Sequence, residues 1–398
     1  MKTITAGVAA ALLSVAAAPA FAQVSGDAVE IGVMSDMAGA IKDTGGPGSA
    51  LAAQMAVEDF GGTVLGKPVR LRQGDFQLKP DIASSLARQW FDQGVDMIVD
   101  LPVSAAARAV VEIARDRKKV TMVSGATATD LTGAWCSPYN VHWVEDTHAL
   151  AVGAASAQVE AGNDSWYFIT SDIAFGHAIE RDAEATIEGK GGKVLGAVRF
   201  PFPNADFSSY LLQAMGTDAK AIGLSSAGTD TVTAIKQAHE FRVTDSKEMT
   251  AFVVFITDIH SLGLELAKGI SFVSGFYWDQ NDETRKFAER FYDKMNAMPT
   301  KEQAGTYGAV LAYLRAVEAA RTDDGEAVSK KLREMPIDYF GQTGTIRPDG
   351  RFVYDVALYK AKSPGESKRP WDYYQQVAVI DGGTAFMAPA DNGCYLNK

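Results

Sequence analysis

Two short segments concentrate the groups that could do chemistry. Pro102-Val103-Ser104-Ala105-Ala106-Ala107 runs into a helical pattern, with Ser104 where an N-cap belongs. Ser124-Gly125-Ala126-Thr127-Ala128-Thr129-Asp130-Leu131 interleaves hydroxyls with small residues. Unpaired N–H groups at a helix start, with hydroxyls beside them, suit a carboxylate. On spacing alone an equally good reading is that Ser104 and Thr129 only cap helices. Other chemistries lack their residues. The five histidines, His142, His148, His177, His239 and His260, show no HExxH or other helical metal spacing. No GxSxG nucleophile elbow occurs. Gly45-Gly46-Pro47-Gly48 precedes a helix, but its proline interrupts the N–H donors and no lysine follows where a phosphate loop needs one. No metal, cofactor or catalysis is expected.

The two segments need a scaffold that brings loop ends together. Val29–Met34, Val69–Gln73, Met97–Leu101 and Val120–Val123 read as strands, alternating with helical patterns at Gly48–Phe60, Ile82–Gln93 and Ala105–Arg117. Such alternation calls for a parallel sheet with helices on both faces. The candidate segments then follow the third and fourth strands, at the carboxyl end, where ligands bind in such sheets. The pattern restarts near Leu150. Strands are expected at Trp166–Thr170, Val194–Phe200 and Ala221–Leu224, with Ala251–Ile256 and Ile270–Val273 completing a second sheet. The second half is thus another α/β lobe. Without a low-complexity linker, the two lobes imply several crossovers and a hinge. Trp371-Asp372-Tyr373-Tyr374 reads as packing for a C-terminal strand rather than a sugar platform.

Lys2, the apolar run Ile4–Ala18 and Ala20-Phe21-Ala22 have the form of a cleaved export signal over 1–22; a retained anchor is the alternative. About 375 residues then remain, which suits two lobes better than one core. Hydrophobic content of 47% and charged content of 22% are those of a globular chain. A formal net charge of −11 gives no electrostatic case for nucleic acid or an anionic membrane surface. Cys136 and Cys394 both fall after the signal, so in an oxidising compartment one disulfide is expected, stapling the tail to a mid-chain loop. Two free thiols are the alternative.

The chain resembles the type I periplasmic solute-binding proteins of ABC importers, the leucine/isoleucine/valine-binding family. The matching stretches are Ile31-Gly32-Val33-Met34-Ser35 with the Gly45-to-Phe60 helix, Leu65-Gly66-Lys67-Pro68-Val69, Ala174-Phe175-Gly176, Asp206-Phe207-Ser208 and Gly341-Gln342-Thr343-Gly344. Their order covers essentially the whole mature sequence. The resemblance implies two Rossmann-like lobes joined by a multi-strand hinge, lobe 1 at 24–145 plus 277–350 and lobe 2 at 146–276 plus 351–398. It implies a monomer in the periplasm that delivers a small molecule to ABC permease subunits of the inner membrane.

Carried over residue by residue, the resemblance places the ligand carboxylate on Ser104, Gly125 and Thr127. Phe175 becomes a second-lobe aromatic on the ligand and Thr44 a contact after the first strand. His142-Trp143 falls at the first crossover, as cleft wall or hinge packing. Amino-acid binders of the family hold the α-ammonium with a tyrosine and an acid; here those positions fall on Ala227 and near Asp258. Losing a buried counter-charge for an ammonium costs several kcal/mol. A carboxylate without an α-amine is therefore expected, with Phe175, Trp143 and Tyr277 against its body, as in the branch that takes up aromatic acids. An amino acid held by Asp258, a sensing role beside a membrane receptor, and an exported enzyme remain the alternatives.

Overall fold

The computed structural model describes residues 24–397, so the expected export signal lies outside the described residues. Strands β1 (Val29–Ser35), β2 (Thr63–Val64), β3 (Lys67–Asp75), β4 (Met97–Asp100), β5 (Val120–Val123) and β6 (Asn140–His142) make one sheet in the order β2-β3-β1-β4-β5-β6. From β3 through β1 and β4 to β6 every pairing is parallel. Central strands of a parallel sheet are covered on both faces. That is why β1, β4 and β5 are mostly apolar and almost wholly buried. Helices α1 (Gly46–Phe60), α2 (Pro80–Asp92) and α3 (Ser104–Arg117) follow β1, β3 and β4. A Cβ on Gly32 would lie 2.3 Å from the Trp90 ring, so glycine there lets α2 press onto the sheet.

Helices α4 (Thr147–Glu160), α5 (Ala174–Gly189), α6 (Ser208–Met215) and α7 (Thr229–Glu240) accompany the second parallel sheet. Its strands β7 (Ser165–Ser171), β8 (Lys193–Phe200), β9 (Ala221–Ser225) and β10 (Glu248–Ala251) lie in the order β10-β9-β7-β8. Two expectations fail here. The run Ala251–Ile256 is not a strand: β10 ends at Ala251, a loop follows, and α8 (Ile256–Leu262) begins. The strand expected at Ile270–Val273 is β11 (Ser271–Ser274), and it joins a different sheet.

After the short α9 (Leu264–Ala267) come α10 (Asp282–Met295), α11 (Lys301–Ala320) and α12 (Gly325–Glu334). The remaining strands are β12 (Ile337–Tyr339), β13 (Gln342–Ile346), β14 (Phe352–Val353), β15 (Val356–Ala361) and β16 (Tyr374–Ile380). β11, β15 and β16 form one antiparallel sheet, and β12, β13 and β14 another. α11 lies along α1, which returns residues far down the chain to the first sheet.

Buried charge gathers where the chain leaves β6 and where it enters β15. Glu145 accepts the Gly275 N–H and pairs with Lys301 at 3.5 Å. Asp146 caps α4 through Ala149 N–H at 2.9 Å and faces Arg351 at 3.7 Å. Beyond β16 the tail returns to the first sheet. Cys394 is bonded to Cys136, and the Asn392 amide donates to Asp349 at 2.7 Å.

Candidate ligand-binding cleft

Each parallel sheet has one point where strand order reverses, between β1 and β4 in the first and between β7 and β9 in the second. Loops leaving the two strands there diverge and open a crevice at the carboxyl edge. The two crevices face one cavity of about 200 Å³. Thr44, Ser104 and Thr127 line it from the first sheet, and Phe175, Phe202 and Ala227 from the second. Thr229 Oγ1 donates to Ala40 O at 3.3 Å, and Thr129 Oγ1 to Asp182 Oδ2 at 2.8 Å, so the two walls already touch on either side of the cavity.

Ser104 opens α3, but Val103 is the N-cap and no side chain caps the helix. The Ser104 hydroxyl instead accepts the Ala128 N–H at 3.4 Å, tying the loop after β4 to the loop after β5. As an acceptor there, it keeps its own proton to donate to a ligand. The first turn bond of α3 runs from Ala107 N–H to Val103 O at 2.8 Å. The N–H groups of Ser104, Ala105 and Ala106 precede it and have no intrahelical acceptor. Thr127 lines the cavity, its carbonyl fixed by Thr147 N–H at 2.7 Å. Thr44 donates to Ile41 O at 2.9 Å and lines the cavity. Phe175 lies in the first turn of α5, whose N-cap is Ile173. Ala227 follows β9. Neither Thr129 nor Ser104 is the simple helix cap that one reading expected.

Four expectations are corrected. Gly125 lines the cavity, but its N–H is already given to Asp100 O at 3.0 Å. Its contribution is space, since a Cβ would lie 2.6 Å from Glu302 Oε1 and 2.8 Å from Asp100 Oδ1. Trp143 is fully buried behind the site, stacked on Phe352 at 4.2 Å and edge-on to Tyr339 at 5.8 Å, so the hinge-packing reading holds. Asp258 does not face the cavity. It lies in the first turn of α8, where Oδ2 accepts the Phe255 N–H at 3.0 Å. Burial pushes its carboxyl up to about 7. Tyr277 also misses the cavity and stacks on Tyr374 at 4.7 Å.

Asp100 and Glu302 were not foreseen. Glu302 lines the cavity and is 2% exposed; Asp100 ends β4 and is wholly buried. Burial and then the neighbouring Asp100 carboxyl push Glu302 well above the carboxylate range. Asp100 is pushed up to about 6, chiefly by burial, with the Glu302 carboxyl and then the Ser35 and Ser49 hydroxyls offsetting part of it. Two carboxyls this close do not both ionise. A signal for Glu302 was present: Thr300 and Gln303 form a capping box, which marks a helix start at 301.

A two-walled cleft between α/β sheets, lined by hydroxyls and aromatics, defines a small-molecule binding protein. Residues 28–367 match the family described as periplasmic binding protein, and the chain belongs to it, in its type I form. A periplasmic binding protein from Burkholderia mallei is 44% identical, with a TM-score of 0.92 over 94% of this chain and 100% of that one. A branched chain amino acid ABC transporter periplasmic ligand-binding protein from Burkholderia xenovorans is 38% identical, with a TM-score of 0.83 over 93% of this chain and 100% of that one. A solute-binding protein of an ABC transporter from R. palustris, solved with benzoate, shares the fold at 17% identity, with a TM-score of 0.82 over 92% of this chain and 99% of that one. No curated protein sequence matches. The protein is thus a ligand-binding protein of ABC-transporter type, from a family whose members bind solutes and do not transform them.

Proposed function

We propose that the protein carries a small organic acid without an α-amine, aromatic or aliphatic, from the periplasm to ABC permease subunits. The Ser104 and Thr127 hydroxyls, with the free N–H groups at the start of α3, hold the carboxylate. Phe175 and Phe202 cover the body from the other wall. The observation that carries this reading is the opposite wall itself. Ala227 stands where an amino-acid binder needs a phenol, and Asp258 is turned into the base of α8. The named ligand of the R. palustris structure, benzoate, is a molecule of this class. The lobes 24–145 plus 277–350 and 146–276 plus 351–398 close on it, because a ligand touching both walls favours the closed state.

A second reading has one observation in its favour. Glu302 lines the cavity on the carboxylate side, where an α-ammonium would find an acceptor. The name of the B. xenovorans relative agrees with it. A thermal-shift screen separates the two, since a ligand of the folded form raises the melting temperature. Benzoate, hydroxybenzoates and short aliphatic acids are expected to stabilise, and leucine, isoleucine and valine are not. Stabilisation by the amino acids alone would sink the first reading.

A further inference from the structure

Around Asp100 and Glu302 the chain is shaped to admit two acids. A Cβ on Gly45 would lie 2.4 Å from Glu302 Oε1 and 3.0 Å from Asp100 Oδ2, and one on Gly125 would strike the same pair from the other side. Both glycines leave room for carboxyl oxygens, and no side chain separates Glu302 from the cavity at Gly125. Asp100 Oδ1, Asp100 Oδ2 and Glu302 Oε1 are buried and make no well-formed hydrogen bond among the described residues, although the Ser35 and Ser49 hydroxyls lie near enough to Asp100 to offset part of its rise. Buried acceptors are rarely left so. The arrangement makes sense if the pair carries its own protons.

We propose that Asp100 and Glu302 form a proton-holding second anchor for the ligand carboxylate, and that an acid enters the cleft together with a proton from solvent. Glu302 then presents an O–H to a carboxylate oxygen, beside the Ser104 and Thr127 hydroxyls. The proposal rests on the reading of the ligand as a carboxylate without an amine. An anionic ligand next to an ionised pair is opposed by its charge, whereas a doubly protonated pair donates to it. An ammonium would reverse the preference and expel the shared proton.

The surroundings leave the proton little competition. From α11 the nearby cation is Lys301, whose Nζ is engaged with Val273 O at 3.2 Å and Glu145 at 3.5 Å. From the loop after β1 come Asp36, which accepts the Gly39 N–H at 2.7 Å and the Ile41 N–H at 3.0 Å, together with Lys42 and Asp43. The first turns of α1 and α3 and the loop Ser124–Thr127 carry no charged side chain. Neither do the cavity-lining residues of the opposite wall, such as Phe175, Pro203 and Phe255.

The test is calorimetry of benzoate binding to the full mature protein at pH 6, 7 and 8, in phosphate and in Tris. The two buffers differ in ionisation heat, so their difference counts protons. Uptake approaching one proton is expected, with affinity weakening by up to about tenfold per pH unit above 6. In Asp100→Asn the slope should vanish, whatever the affinity. Should that variant not fold, the wild-type proton count decides alone. Benzoate binding without proton exchange overturns the proposal and leaves the ligand reading standing. If leucine binds with proton release while benzoate does not bind, the ligand reading falls and the proposal with it.

Discussion

Ser104 and Thr127 sit 23 positions apart in sequence, yet both reach one end of the cavity because β4 and β5 are adjacent parallel strands. In the proposed reading their hydroxyls are the neutral donors that meet the ligand's charge. A hydrogen bond to a charged group is worth about 1.5–3 kcal/mol. The double variant Ser104→Ala, Thr127→Ala is therefore expected to lose at least about a hundredfold in affinity, with little change in the melting temperature of the unliganded protein. Unchanged affinity would remove both from the site. The two segments were legible in the sequence because each follows a strand and so lands at the carboxyl edge, whereas the choice of Thr127 within its segment came from the family resemblance. Gly125 was legible as a position but not as a role: only the coordinates of Glu302 explain why a side chain is excluded there. Glu302 itself lies about 200 residues from Asp100, and nothing local in the sequence announces that α11 will deliver it to the end of β4.

Among the elements, α8 holds the clearest pH dependence outside the cleft. Asp258 closes its first turn while wholly buried, and burial raises its carboxyl to about 7 from the ordinary 3.8. A raised carboxyl favours the protonated fold. Its contribution is full below about pH 4 and is lost as pH rises through 7. Asp258→Asn keeps an oxygen for the Phe255 N–H and removes the ionisation. The variant should melt close to the wild type near pH 4 and above it at pH 8, with the gap widening up to about pH 7. A gap that shrinks with pH would contradict the burial argument. The same region shows why element type was misread. Ala251-Phe252-Val253-Val254-Phe255-Ile256 is an unbroken apolar run, which periodicity cannot divide. In the fold it ends a strand, sends Val253 and Phe255 to the cavity, and starts a helix. Trp143 was ambiguous for a similar reason, since an aromatic just past a strand serves a wall or a core equally well, and packing by Phe352 decides it.

At the scale of the molecule, the doubly wound sheets were plain from the strand–helix alternation, because parallel strands covered on both faces must be apolar throughout. The antiparallel β11–β15–β16 sheet was not, since β11 lies far from β15 in sequence and the strands carry no shared pattern. The Cys136–Cys394 bond was expected from compartment and spacing, and it is present, with the two residues 258 apart. Closing so long a loop restricts the unfolded chain, and losing a native disulfide costs about 2–5 kcal/mol. Cys136→Ser with Cys394→Ser should lower the melting temperature by roughly 3–7 °C while leaving ligand affinity unchanged, because the bond lies outside the cavity. A matching loss of affinity would mean that the tail also sets the cleft.

That bond has a topological effect apart from stability. It turns the chain from Cys136 to Cys394 into a covalent ring that contains the whole second sheet, α11 and Glu302. One cut by a protease anywhere on the ring opens it without releasing a fragment, and both pieces remain tethered until a reductant arrives. In an oxidising compartment the protein thus tolerates a single nick and stays in one piece.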